Sequence, residues 1–171
     1  MSTKIKPVVV AAMRTPQGKR NGMFSSTRGE DLSIEIINEV LQTTEVEPKE
    51  VDDLVWGCAL QRGEQDNNIA RIIGLMSSLG ENGPATTVNR WCASSMQAIM
   101  TGSDAISAGQ RECVIAGGVE HMTRVPMDEA SSFTKIHPEF MQKYNIFELQ
   151  MGMTAEAVAG EFNISRMDQD L

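Results

Sequence analysis

Apolar positions along the chain alternate between continuous runs and runs at helical spacing. Pro7-Val8-Val9-Val10-Ala11-Ala12-Met13 is continuous, β-branched and closed by Thr15-Pro16-Gln17-Gly18, which reads as a buried strand. From residues 31 to 42, Leu32, Ile36, Ile37, Val40 and Leu41 recur at helical spacing, and Glu47-Pro48-Lys49 breaks that helix. Residues 54–60 form a second near-continuous apolar strand. Asn67 or Asn68 is placed to cap a helix whose Ile69, Ile72, Ile73, Met76 and Leu79 share a face, with Gly80 at its C-terminal end. Residues 85–91 predict a third strand, 93–108 a third helix ended by Gly109, and 113–118 a fourth strand.

The order β-α-β-α-β-α-β defines an α/β chain with a mostly parallel sheet and helices on both faces. In such sheets functional groups gather where strands end and the next helices begin. That directs attention to residues 14–30, 61–67 and 89–95. Beyond Gly118 the pattern changes. Residues 120–150 read as loop, hold both histidines, and carry Met122, Met127, Met141, Phe133, Phe140 and Tyr144. A short helix is expected at 154–161, and Ser165-Arg166-Met167-Asp168 has capping-box spacing with Asp in place of Glu. A helix start followed by so few residues suggests a chain cut inside an element.

The 171 residues are 41% hydrophobic, 22% charged and 5% aromatic, which excludes disordered, collagen-like and disulfide-scaffold classes. A net charge of −8 without a Lys/Arg block sets nucleic acid aside as a partner. Three cysteines, an odd number, point to free thiols and a reducing, cytoplasmic setting. The longest N-terminal apolar run, residues 8–13, is too short for a signal h-region or a membrane span.

Cys92 is the sharpest chemical feature. It lies between a predicted strand and a predicted helix, in Val88-Asn89-Arg90-Trp91-Cys92-Ala93-Ser94-Ser95-Met96. A thiol at a helix N-terminus meets unpaired N–H groups and the positive dipole end, which favour a thiolate nucleophile and can bind a developing oxyanion. Ala98, Thr101, Gly102 and Ala105 give the helix behind it a small-residue face suited to close packing. Position alone leaves a nucleophile and a buried structural thiol both open. Cys58 and Cys113 sit among apolar neighbours as inert thiols. His121 follows a strand end, where it could serve Cys92 as a base; pairing with Glu120 or backbone is the plainer reading. His137, before Pro138, reads as a surface residue. No Cys pair has metal-ligand spacing, so no metal site is expected. Gly117-Gly118 matches no phosphate-binding motif.

Through Val88, Asn89, Cys92, Ala93, Ser94, Ser95, Met96, Ala98, Ile99 and Ile106, the chain closely resembles the acyl-enzyme signature of the thiolase family. Arg14-Thr15-Pro16, Asn68-Ile69-Ala70-Arg71, Gly117-Gly118-Val119-Glu120-His121-Met122 and Met151-Gly152-Met153-Thr154-Ala155-Glu156 agree in order. Val125-Pro126-Met127 and the His137-Pro138 loop look most like degradative 3-ketoacyl-CoA thiolases of fatty acid β-oxidation. Trp91, Ala93 and Asp66 depart from the commoner residues and bear on the acyl pocket or a dimer contact.

The resemblance implies a thiolase-like fold, the N-terminal βαβαβαβ half of a layered α/β/α/β/α architecture that is incomplete without a C-terminal half. Residues 1–119 would form that half and 120–171 the beginning of an inserted CoA-binding loop domain. It implies thiolysis of 3-ketoacyl-CoA through an acyl thioester on Cys92, with coenzyme A as co-substrate and no bound cofactor. Met151, with Gly152 beside it, matches a position lining the pantetheine channel. The activating His and second Cys would come from the C-terminal half, leaving this chain alone inactive. A dimer or other oligomer, and a β-oxidation multienzyme complex, are further implied partners. A biosynthetic acetoacetyl-CoA thiolase or ketosynthase-type enzyme, a non-catalytic acyl-CoA-binding module, and a Cys92–His121 hydrolase remain as alternatives.

Overall fold

In the computed structural model, which describes residues 5–127 and 136–171, the apolar run around Val55 becomes the middle strand of a small sheet. Strand β1 (Asp53–Gly57) lies between β2 (Ala85–Val88) and β3 (Val114–Gly118), and both pairings are parallel. Leu54 sits opposite Ala85 and Ile115, and Gly57 opposite Val88 and Gly118, so the three strands end level with one another.

Two helices, α2 (Ile69–Met76) and α3 (Ser94–Ser107), pack on this sheet, and α1 (Gly29–Thr44) packs against α2. The path from β1 to β2 through α2 runs in the opposite direction across the sheet to the path from β2 to β3 through α3. Right-handed crossovers therefore place α2 and α3 on opposite faces. Packing agrees. Gly74 of α2 lies against Leu54 and Ala85, whereas Gly102 of α3 lies against Val114 and Ala116. The core forms on the first of these faces from Ile37, Leu41, Val51, Leu54, Trp56, Cys58, Ile69, Ala70, Ile73 and Leu79. Ile37, Leu41, Ile69, Ile73 and Leu79 among them belong to the apolar stripes that the spacing predicts.

Four expectations need correction. Residues 7–13 are not a strand; Val8, Val9 and Val10 are 77%, 80% and 75% exposed. An apolar run becomes a strand only when its backbone groups find partners, and residues 7–13 take no place in the β2-β1-β3 ladder. The observed order is thus α-β-α-β-α-β, without the leading strand. The segment instead lines a cleft of about 930 Å³ together with α1 residues and β3. Asn68 occupies the N-cap of α2 but makes no side-chain cap bond. Its side chain goes to β2: Oδ1 accepts from the Thr87 N–H at 3.0 Å and hydroxyl at 2.7 Å, and Nδ2 donates to Ala85 O at 3.1 Å. The α2 helix stops at Met76, where Ser77 closes it by donating to Ile73 O; Gly80, at φ 59°, lies in the turn beyond. Met76 itself is 64% exposed, because the stripe leaves the core there.

The chain divides into two compact units, Met1–Met127 and Asp128–Leu171. In the second, α4 (Pro138–Lys143) interrupts the stretch expected as loop, started by Pro138 and by the His137 ring accepting from Glu139 N. Helix α5 (Met151–Glu161) begins earlier than expected, and α6 (Arg166–Asp170) follows. The capping box at its start is formed: Ser165 Oγ accepts from Asp168 N, and the Asp168 carboxylate accepts from Ser165 N at 2.8 Å. Phe133 lies outside the described residues. No helix among the described residues is long and apolar enough to cross a membrane.

Candidate active site

The turn between β2 and α3 is built from its own sequence. Trp91 adopts φ 48°, a left-handed conformation that a bulky residue takes only when its surroundings impose it. Ala93 N donates to Arg90 O and Ser94 N to Trp91 O, both at 3.0 Å, closing two tight turns. The buried Ser94 hydroxyl accepts from Arg90 N at 2.9 Å and donates to Trp91 O at 2.6 Å. Asn89 Oδ1 accepts from Trp91 N at 2.9 Å, and its Nδ2 donates to Ala59 O at 2.9 Å. The result is a strand–turn–helix that presents Cys92 in an exposed position two residues before α3. Among the described residues no side chain caps the N-terminus of α3, and its first turn carries no acidic residue. A thiol here can attack an electrophilic carbonyl carbon while nearby N–H groups attract the oxygen that becomes charged.

The other thiols differ. Cys58 is 1% exposed, and burial pushes it up to about 12. Burial also raises Cys113, and the neighbouring Asp52 carboxylate adds to that. Both observations agree with inert packing residues.

His121 is buried and has both ring nitrogens engaged with backbone. Nε2 lies 2.9 Å from Phe24 O, and Nδ1 accepts from Arg124 N at 3.3 Å, which assigns the proton to Nε2. Among the described residues no hydrogen bond joins His121 to Cys92. Glu120, the expected alternative partner of His121, turns to the end of β1 instead. It accepts from Ala59 N at 2.8 Å and Leu60 N at 3.3 Å.

Gln65 is the residue that sequence reasoning missed. It is fully buried yet polar at both ends, bonding Leu60 O and Glu120 through Nε2 and accepting from His121 N through Oε1. Its polar neighbours in Arg62-Gly63-Glu64-Gln65-Asp66 disguise it as loop surface. Around this core, Glu64 pairs with Arg124 at 2.6 Å and with Arg28 at 3.4 Å. The Arg124 hydrogen bond holds the Glu64 carboxyl below its usual range against the opposing effect of burial.

In the second unit, Met151 opens α5 and is 82% exposed, while Gly152 has open space around it. Met151 lines a small cavity of about 430 Å³ with Thr154, Ala155, Val158 and Ile164. Among the described residues no group of three or more His, Cys, Asp or Glu is placed to hold a metal ion.

Comparison with known proteins adds a second line of observation. The family model described as the thiolase N-terminal domain matches residues 7–171. The chain is 43% identical over 165 residues to the 3-ketoacyl-CoA thiolase of Yersinia enterocolitica, covering 95% of this chain and 42% of that protein. Against the 3-ketoacyl-CoA thiolase of Idiomarina loihiensis it is 42% identical over 165 residues, with the same coverage. Against that of Pectobacterium carotovorum it is 41% identical over 167 residues, covering 96% and 42%. The chain therefore spans about two fifths of the length of these curated relatives.

Proposed function

The chain belongs to the thiolase family, as its N-terminal domain, and on that premise we propose that it carries the nucleophile of a 3-ketoacyl-CoA thiolase. The observation that carries this reading is the exposed Cys92 thiol, held between Trp91 at φ 48° and the uncapped start of α3.

The Cys92 thiolate adds to the 3-keto carbon of a 3-ketoacyl-CoA, and the carbonyl π pair moves onto oxygen. Collapse of that oxyanion breaks the Cα–Cβ bond; the electron pair leaves as the enolate of acetyl-CoA, which takes up a proton. The thiolate of free coenzyme A then attacks the Cys92 thioester. The shortened acyl-CoA departs and Cys92 returns as a thiolate. Reversed, the sequence is a Claisen condensation. Coenzyme A is a co-substrate here and no resident cofactor takes part.

Two protons must move, one off the nucleophile and one onto the enolate. His121 is committed to Phe24 and Arg124, and the Cys58 thiol is buried. The thiolase resemblance assigns the base and acid, a His and a second Cys, to a C-terminal thiolase half. The outer side of α3 supports such a complement. Met96, Ile99 and Met100, at helical spacing, are 60%, 48% and 47% exposed, an apolar stripe that a partner would cover. Residues 120–171 are read as the beginning of the CoA-binding insertion, with Met151 and Gly152 beside the pantetheine. Oligomerisation, membership of a β-oxidation complex and a cytoplasmic location follow the same family reading.

The test is thiolysis by the protein isolated with every chain that co-purifies. Cys92→Ala should lower turnover by at least about 10³-fold, the scale of losing a covalent nucleophile, and this chain on its own should be inactive. Full turnover by Cys92→Ala, or by the chain alone, contradicts the reading.

A further inference from the structure

The turn that carries Cys92 is braced from beneath by a polar chain that begins far from it in sequence. Gln65 Nε2 donates to Glu120 Oε1 at 2.8 Å and to Leu60 O at 2.9 Å, and lies 3.4 Å from Cys58 Sγ. Its Oε1 accepts from His121 N at 2.7 Å, tying the segment after β3 to the same amide. Glu120 in turn accepts from Ala59 N and Leu60 N, just beyond the end of β1. Ala59 is thus gripped through both of its backbone polar groups: Glu120 accepts from its N–H, and Asn89 donates to its carbonyl. Asn89 passes the constraint on by accepting from Trp91 N, the residue held at φ 48° beside Cys92. A non-glycine residue keeps such a conformation only where its surroundings over-determine it. This relay supplies one of the determinants.

Resting on the reading of Cys92 as the nucleophile, we propose that Glu120 and Gln65 are positioning residues for it, acting through Ala59 and Asn89 to hold the Trp91–Cys92 turn. Gln65 is fully buried, and the bonds that tie both residues to the turn run through backbone. Glu120 works as a double acceptor for adjacent N–H groups, a role that a carboxylate fills and an amide fills only by half. Gln65 works because one buried amide can donate to Glu120 while accepting from the His121 backbone, so the ends of β1 and β3 move as one.

A double-mutant cycle tests this on the protein isolated with every co-purifying chain. The readouts are the alkylation rate of Cys92 by iodoacetamide, resolved by peptide mass, kcat and KM for thiolysis, and Tm. Glu120→Gln and Gln65→Met should each slow Cys92 alkylation and lower kcat by about tenfold, with KM within about twofold, as expected for one lost charge-assisted bond. Gln65→Met keeps the side-chain length and removes the amide without touching the Glu120 carboxylate, so it gives a second, independent variant should Glu120→Gln fold poorly. Asn89→Ala cuts the chain nearer to Cys92. Combining it with Glu120→Gln should give no further loss, because both act along one path. Losses that multiply, or a fall in Tm with alkylation and kcat unchanged, overturn the proposal. Alkylation that obeys the cycle in a protein that does not turn over 3-ketoacyl-CoA keeps the positioning role and discards the thiolase reading. Thiolysis through Cys92 with independent losses does the reverse.

Discussion

The backbone of Gly57, the last residue of β1, lies against that of Ser94, the first residue of α3. A Cβ on Gly57 would sit 2.5 Å from the Ser94 carbonyl carbon and from the Ser95 nitrogen. Gly118, paired with Gly57 at the end of β3, is as tightly placed: a Cβ there would fall 2.2 Å from Ser95 Oγ and 2.6 Å from Gly57 O. The first turn of α3 therefore rests on strand ends stripped of side chains, and that seat sets where Cys92 is presented. Gly57→Ala must push α3 away through backbone, which cannot yield as a flexible side chain would. It should cost about 1–3 kcal/mol of stability, the range for overpacking, with a lower urea midpoint and slower Cys92 alkylation. An unchanged midpoint and rate would show that α3 is not seated there.

Cys58 makes stability depend on alkaline pH. Burial, with the Glu120 carboxylate adding to it, pushes the thiol from its ordinary value of 9.0 up to about 12. The fold thus holds this proton more tightly than the unfolded chain does. Its contribution is complete below pH 9.0 and fades as pH rises toward about 12, where the unfolded thiol has already ionised. The urea midpoint should fall more steeply over that interval for the wild type than for Cys58→Ala. Parallel curves would contradict the burial assigned to this thiol. Iodoacetamide at neutral pH should label Cys92 and spare Cys58 until the protein is unfolded.

Glu64 works in the opposite direction. The hydrogen bond from Arg124 holds its carboxyl below the ordinary 4.5, and the Arg124 and Arg28 charges assist. Its contribution is present above pH 4.5 and is lost as pH falls through the lower folded value. Glu64→Gln should flatten the acid limb of the stability profile and leave the alkaline limb alone. An acid limb that stays as steep in the variant would show that the Arg124–Glu64–Arg28 cluster contributes nothing to the linkage.

What could be read in the sequence was what neighbours along the chain determine. The stripes of α1 and α2, the apolar runs that became β1, β2 and β3, and the Ser165–Asp168 box all rest on spacings of a few residues. The placement of Cys92 between strand and helix was legible for the same reason. What failed depended on partners distant in sequence. Residues 7–13 look like a strand, but a strand needs a partner edge supplied from far along the chain, and the β2-β1-β3 sheet does not include them. Asn68 has the right identity for a cap, yet Thr87 captures its side chain. Gln65 carries no local sign of burial, since its partners Glu120 and His121 lie 55 and 56 residues away.

The central claim is that substrate carbon becomes covalently attached to Cys92. The most direct measurement incubates the protein, with every co-purifying chain and without free coenzyme A, with a 3-ketoacyl-CoA, quenches in acid and maps the peptides by mass. The account predicts an acyl adduct, shortened by the acetyl unit lost as acetyl-CoA, on the peptide bearing Cys92. An acyl adduct on Cys58, Cys113 or any other residue instead, or cleavage that proceeds with Cys92 never acylated, would contradict it.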